Sequence, residues 1–280
     1  MKLALLGTGM IVTEVLPVLT TIEGIELEAI LSTPRSLDKA EALAKQYGLS
    51  QATSDYELIL SNPEVDTIYV GTPNHTHYDY AKKALLAGKH VICEKPFTLH
   101  LKEFEELAKL AQEKELLLME AITNQYLANF TAIKEALSDI GDIKIVNINY
   151  SQYSRYDAFK RGEIAPAFNP EMGGGALRDL NIYNIHLLVG LFGKPHRVEY
   201  LPNVERGVDT SGILVLDYGN FKAVAIGAKD CSAEIRSTIQ GDKGAITIFG
   251  ATNTLPEIGV TLNGQKERVV NLNSPQHRMH

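Results

Sequence analysis

The 280-residue chain is poor in cysteine. Its two, Cys93 and Cys231, cannot build a disulfide framework, and neither sits in a CxxC pair of the kind zinc ribbons use. A reducing, cytoplasmic setting is therefore expected. No block of about five like charges occurs, and 27 basic against 34 acidic residues leave a net charge of −7. Without a basic face, a phosphate-backbone partner is not expected, so nucleic acid is set aside. No run approaches the ~18 apolar residues that a membrane span needs. The N-terminus enters the strand-like KLALLGTG at once, without the charged, apolar and cleavage regions of a leader. A protein free of the membrane is expected. Internal repeats and low-complexity segments are also absent.

What the chain does contain divides in two. Single cores stop growing at roughly 250–300 residues, so this length suits two domains. From residue 2 to about 120, short apolar runs (3–6, 27–31, 67–70, 90–93, 116–119) alternate with amphipathic stretches (10–19, 36–47, 75–87, 101–114). That alternation predicts a doubly wound parallel sheet with helices on both faces. Ser36 is placed as an N-cap and Gly48 as a C-cap of the second helix, and Asn74 and Gly88 frame the third. After about residue 141 the runs become β-rich. They are punctuated by Tyr218-Gly219-Asn220, Gly241-Asp242-Lys243-Gly244 and Asn263-Gly264, which are hairpin signals. A mostly antiparallel sheet is expected there, interrupted by one long helical pattern over 173–193. The domains are drawn at 1–121 and 122–280, an α/β unit followed by an α+β unit.

The first turn, Gly7-Thr8-Gly9-Met10-Ile11-Val12, follows a strand and opens a helix, as dinucleotide binding requires. Gly7 permits the turn, Gly9 lets backbone approach a pyrophosphate, and the helix N-terminus offers N–H groups to phosphate. Val12 replaces the third glycine of GxGxxG, the position that governs helix–strand packing. A tight strand–helix turn without a ligand would also favour glycine. At the end of the second strand, LSTPRSLDKA has no acid before Asp38 but carries Ser32, Thr33 and Arg35. Small polar residues with an arginine suit a 2′-phosphate, so NADP is expected ahead of NAD. GTPNHTHY follows the 67–70 strand at the carboxyl edge of the sheet, which brings Thr72, Pro73, Asn74 and His77 toward the cofactor, with His77 either lining the nicotinamide pocket or sitting in the first helical turn. His75 and His77 lack a third ligand at fitting spacing, so no metal is expected.

GKHVICEKPF then places Glu94-Lys95-Pro96 directly after a strand. Together with ALLGTGMI, GTPNHTHY and FNPEMGGGALRDLNIYNIHLL, in order across residues 1–193, it resembles the Gfo/Idh/MocA oxidoreductases. The resemblance implies an N-terminal Rossmann domain, a nicotinamide cofactor, and a C-terminal domain built on a large open sheet that often forms the oligomer interface. A homo-oligomer is expected. Glu94, Lys95 and Pro96 match the family's EKP motif, whose lysine lies near nicotinamide and substrate. The family's second motif, Asp-x-Gly-x-His, is here Asp179-Leu180-Asn181-Ile182-Tyr183, so Asn181 stands for glycine and Tyr183 for histidine. Tyrosine there is similar to the dihydrodiol dehydrogenase and glucose–fructose oxidoreductase branches, and it implies Tyr183 as the acid–base group.

Helical spacing independently sets Asp179 and Tyr183 on one face, with His186 following. A phenol with a pKa near 10 donates more readily beside a cation, a role that suits Lys95, while Asp179 orients Lys95 or a substrate hydroxyl. The bland alternative makes Tyr183 and His186 core residues and Asp179 a cap partner. Glu120, Asn124 and Gln125 fall where family members line the pocket, although an arginine or tryptophan often seen nearby is missing. Arg161 and Asn169 are candidates for substrate hydroxyls or plain surface loop. Cys93 reads as an inert strand thiol. The expected activity is hydride transfer between an alcohol and a carbonyl on a sugar, polyol or cyclic diol. The rival is a non-catalytic dinucleotide- or sugar-sensing regulator of the same fold.

Overall fold

The computed structural model describes residues 1–275; the last five residues of the expected second domain lie outside them. The chain separates into two compact units, one over Met1–Ala121 and one beginning at Ile122.

The first unit alternates strand and helix: β1 (Lys2–Leu6), α1 (Met10–Leu19), β2 (Glu26–Leu31), α2 (Leu37–Tyr47), β3 (Gln51–Thr53), α3 (Tyr56–Leu60), β4 (Thr67–Val70), α4 (His77–Leu86), β5 (His90–Cys93), α5 (Leu101–Glu113) and β6 (Leu118–Glu120). The six strands are all parallel in the order β3-β2-β1-β4-β5-β6, the doubly wound arrangement whose order reverses between β1 and β4. Both faces are covered, which explains why β1 and β4 are apolar without alternation. Leu3, Leu5 and Ile30 pack under α1 and α2, whereas Ala4, Leu6, Ile68 and Val70 pack with α3, α4 and α5.

Two local expectations change. Ser36 stands at the start of α2 but makes no side-chain cap. A 3-10 turn over Pro34–Ser36 precedes the helix and turns the Ser36 hydroxyl to that of Thr33, 2.8 Å away. Likewise Asn74–Thr76 is a 3-10 turn, and α4 begins only at His77. Here the Thr76 hydroxyl bonds the Thr72 hydroxyl and the Pro73 carbonyl, which tightens the entry. Gly48 ends α2 in the left-handed region, as its position predicts.

The second unit holds α6 (Ala128–Ala136), β7 (Ile143–Ser151), α7 (Tyr156–Lys160), α8 (Ile182–Phe192), β8 (Arg197–Glu205), β9 (Val208–Asp217), β10 (Lys222–Ala228), β11 (Arg236–Gly241), β12 (Gly244–Phe249), β13 (Glu257–Leu262) and β14 (Arg268–Val270). Eight strands form one sheet, β14-β13-β12-β11-β7-β10-β9-β8, in which only β7 and β10 run parallel. Each of the three hairpin signals joins an antiparallel pair, β9–β10, β11–β12 and β13–β14. One face carries Val146, Ile148, Ala225, Leu214, Ile239 and Ile248 into a core with α6 and α8. The register puts Leu201, Ile213, Ile145 and Val269 on the opposite face, where they are exposed.

The long helical pattern at 173–193 is not one helix. Leu177–Asn181 forms a π-turn and α8 starts at Ile182. Asn181 is fully buried, donates to the Ala225 carbonyl at 3.1 Å, and accepts from Asn184 at 2.8 Å. Its space comes from Gly227, where an added Cβ would fall 2.7 Å from the Asn181 Cβ.

Val12 is accommodated in the same way. It is fully buried, and a Cβ at Gly71 would lie 2.6 Å from its Cγ2. Gly71→Ala should therefore destabilise the protein by about 1–3 kcal/mol through overpacking. In a Val12→Ala background the same change should cost clearly less, the signature of two side chains sharing one space. Denaturant unfolding of the four variants checks this, and equal costs in both backgrounds would refute it.

Candidate functional site

At the switch point between β1 and β4, backbone approaches backbone. Gly7 has φ +108, and a Cβ there would fall 2.7 Å from the Gly71 carbonyl oxygen. Gly9, the residue before α1, has open space where a Cβ would project. No side chain caps α1 among the described residues, so its first N–H groups point into the Gly7–Ile11 turn, a geometry that suits a phosphate group. Thr8 offers its carbonyl to Lys39, at 2.6 Å. Met10 is exposed at this rim.

Past β2, Ser32 is buried with its hydroxyl on the Thr33 carbonyl, while Thr33 and Arg35 are exposed. Arg35 and Lys39 are four apart, one in the 3-10 turn and one in the first turns of α2. The second cation is absent from the sequence-based candidates, although the i, i+4 spacing from Arg35 could have flagged it.

The residues after β5 are held from several sides. Glu94 is buried and accepts a hydrogen bond from the Tyr69 hydroxyl of β4. Its second oxygen takes the Lys95 N–H at 3.3 Å. The Pro96 carbonyl lies 2.9 Å from His77 Nδ1, and the Phe97 N–H donates to Glu120 Oε1 at 3.1 Å. Between these anchors Lys95 is half-buried, on a turn that includes a cis Lys95-Pro96 bond. Cys93 is buried, and burial pushes its thiol well up, so it is inert.

Of the two places open to it, His77 takes the first turn of α4. It is fully buried, with Nε2 2.9 Å from the Thr72 carbonyl and Nδ1 on Pro96. The ring links the turn after β4 to the turn after β5, so it shapes the cofactor edge from behind rather than facing it. Burial lowers its pKa, against the upward pull of the two carbonyls and Glu120, with His75 adding to the lowering.

In the second unit, Asp179 of the π-turn makes an ion pair with Lys229, the residue after β10. The lysine is 1% exposed, the aspartate 33%. Lys229 also donates to the Ala167 carbonyl at 3.1 Å and lies 4.5 Å from the Phe168 ring centre. Asp209 Oδ2 accepts the Leu177 N–H and the Tyr200 hydroxyl, which secures the start of the π-turn. Tyr183, 7% exposed, packs with Leu180, Ile122 and Tyr150, whose ring centre is 6.1 Å away. Its carbonyl accepts from the fully buried Asn124, which also donates to the Thr252 carbonyl.

Of the lesser candidates, Gln125 holds the His186 carbonyl at 2.8 Å. Arg161 is an exposed partner of Glu163, and Asn169 caps the turn at Pro170. Asn124, Gln125 and Asn169 thus serve the backbone through these contacts. Lys229 was missed because a lysine closing a β-rich run carries no periodic signal. Among the described residues, no cluster of His, Cys, Asp or Glu could hold a metal, and no helix is long and apolar enough to cross a membrane.

The Oxidoreductase family, NAD-binding Rossmann fold, matches residues 1–122, and the GFO/IDH/MocA C-terminal domain matches 130–247. Scyllo-inositol 2-dehydrogenase (NADP(+)) of Bacillus subtilis is 36% identical over 88% of this chain and 75% of its own length. The chain belongs to the GFO/IDH/MocA oxidoreductases. Trans-1,2-dihydrobenzene-1,2-diol dehydrogenase of Xenopus tropicalis is 27% identical over 95% of this chain and 80% of its own. Among solved structures, a 3-ketoreductase from Actinomadura kijaniata in complex with TDP-benzene and NADP shares the fold, with a TM-score of 0.81 at 22% identity. That match covers 100% of this chain and 85% of the other.

The His77 geometry has a pH consequence. Its folded pKa lies below the ordinary value of 6.5, so as pH falls through that value the unfolded chain takes up a proton before the native one does. The stability this ring contributes is present above pH 6.5 and is lost as pH falls toward the folded pKa. Thermal melts at about pH 7.5 and 5.5 should show a smaller advantage of wild type over His77→Gln at the lower pH. An advantage that grows on acidification would contradict the assignment.

Proposed function

We propose that this oxidoreductase interconverts an alcohol and a carbonyl on a sugar, polyol or cyclic diol, with NADP preferred over NAD. The observation that carries the reading is the turn after β5. Glu94, Pro96 and Phe97 are each anchored from a different element, and Lys95 alone among these four residues is partly exposed and charged. A turn so heavily restrained around one lysine suits a group that must be delivered to a fixed point.

The cofactor supplies or accepts the hydride when bound. Gly7, Thr8, Gly9, Met10 and Ile11 would hold its pyrophosphate, with Thr72, Pro73 and Asn74 along the same edge and Glu94 and His77 supporting from within. Ser32, Thr33 and Arg35 would receive a 2′-phosphate, and no acidic residue stands at the end of β2 to repel it. Support comes from the NADP-dependence named for the Bacillus subtilis relative.

Lys95, Asp179 and Tyr183 handle the hydroxyl proton. A phenol suits proton donation to the developing alkoxide, and an ammonium or a carboxylate suits hydrogen bonding to the substrate hydroxyl. The exposed apolar face of the eight-stranded sheet suits a second copy of the chain, so the working form is proposed to be a homo-oligomer in the cytoplasm.

Lys95→Ala and Tyr183→Phe should each lower turnover of scyllo-inositol or a dihydrodiol by roughly two to four orders of magnitude, with NADPH binding retained. Absorbance of the reduced cofactor measures the first and fluorescence titration the second. Unchanged turnover in both variants would overturn the assignment.

A further inference from the structure

We infer that Lys229 is a positioning residue for the reaction: a buried cation that holds the Asp179 carboxylate in its working orientation without touching substrate. The inference rests on the acid–base role proposed above for Asp179. It adds a residue that neither sequence motif contains.

Three observations carry it. The first is the asymmetry of exposure across the pair. At 1% exposure the ammonium has no access to a ligand, whereas the carboxylate it binds is one-third exposed. A pair built only to join two elements has no need to present one partner outward. The second is that two of the ammonium's three N–H donors have fixed acceptors. One goes to Asp179, one to the Ala167 carbonyl, and the charge sits over the Phe168 ring. The backbone is tied as well, since the Lys229 N–H donates to the Thr210 carbonyl at 2.8 Å and its carbonyl accepts from Ser154 at 3.1 Å. An ammonium held this way has one orientation to offer. The third is selectivity among neighbouring carboxylates. Asp209 takes the Leu177 N–H and the Tyr200 hydroxyl, and Asp230 takes the hydroxyls of Thr210 and Ser211. Asp179 is the carboxylate that receives the cation.

The consequence follows from the location of Asp179. It lies within a π-turn that departs from regular α-helical bonding, although its own N–H keeps an i−4 bond to the Gly175 carbonyl at 3.0 Å. Its side-chain direction therefore cannot be left to helix geometry alone. Lys229 supplies the missing restraint from the neighbouring strand. It also balances the negative charge locally, so Asp179 can accept a hydrogen bond from a hydroxyl or ammonium while remaining ionised.

Lys229→Met is the informative change, because a thioether chain keeps the packing on Phe168 while removing the charge. Asp179, being partly exposed, can then be hydrated. With scyllo-inositol and trans-1,2-dihydrobenzene-1,2-diol as probe substrates, kcat for their oxidation should fall by roughly ten- to a hundredfold, while KM for NADP+ stays within about twofold. In an Asp179→Asn background the same change should lower kcat by no more than about threefold further. A merely structural lysine would instead lower thermal stability, and its effect on kcat would add in full to that of Asp179→Asn. Crystal structures of wild type and Lys229→Met supply a readout independent of turnover, in which the Asp179 carboxylate is expected to rotate from its wild-type position. An unmoved carboxylate, an additive double variant, or a single variant with wild-type kcat while Asp179→Asn is impaired overturns the inference. If Asp179→Asn itself keeps full turnover, the role proposed for Asp179 fails, and that outcome is distinct. Should the single variant not fold, Asp179→Asn/Lys229→Met removes both charges and is compared with Asp179→Asn alone.

Discussion

Everything at the cofactor edge depends on how the chain leaves β5. A parallel strand ends with its carbonyl groups unpaired at the same edge where a dinucleotide is bound, so the next residues must be fixed by something other than the ladder. Here the fixing groups come from three places: the Tyr69 phenol on β4, the His77 ring opening α4, and the Glu120 carboxylate closing β6. Each bond joins β5 to a sheet neighbour or to the helix crossing over it. The arrangement converts sheet order into side-chain order. A charged pair can follow a buried strand because Glu94 is hydrogen-bonded internally while Lys95 is half-buried.

The second unit solves a related problem by other means. Of its acid–base candidates, Asp179 sits on a π-turn, where the hydrogen-bond pattern loosens, and Tyr183 in the first turn of α8 that follows. The restraint is supplied from the sheet beneath. β10 delivers its carbonyls to Asn181 and Asn184, and the residue after it delivers a cation to Asp179. Removing one partner of such a pair leaves a buried charge uncompensated, which is costlier than never having had the pair.

Much of the architecture was legible before any coordinates. The short apolar runs mark the parallel strands, and the glycine-bearing turns mark the hairpins. Several of the elements that escaped carry a physically weak signal. β3 and α3 are three and five residues long, too short to display a period. β8 contains Pro202, and it is an edge strand whose residues are mostly exposed, which removes the alternation that betrays a strand. The site residues divide similarly. Motif residues such as Gly7, Lys95 and Tyr183 are visible in a line of text. The groups that bond their motif neighbours Glu94, Pro96 and Asp179 are 25, 19 and 50 residues away, and no local pattern marks Tyr69 or Lys229 as a partner. His77 shows the converse: a polar residue at the cofactor edge reads as a ligand contact, yet full burial makes it a strut.

The two departures from the family's glycine pattern share one explanation. Val12 occupies the third position of the phosphate-turn motif, and Asn181 occupies the glycine position of the helix motif. In each case the residue opposite is itself a glycine whose Cβ would collide, Gly71 against Val12 and Gly227 against Asn181. The close approach that a motif glycine provides is a property of two facing surfaces, and the missing atoms can be taken from either one. A larger residue at the motif position is then consistent with an intact turn, provided the small residue has moved across the contact. The departure at Val12 therefore says little against the dinucleotide turn. That at Asn181 adds two buried hydrogen bonds that a glycine could not make, which ties the π-turn to β10 immediately beside Asp179.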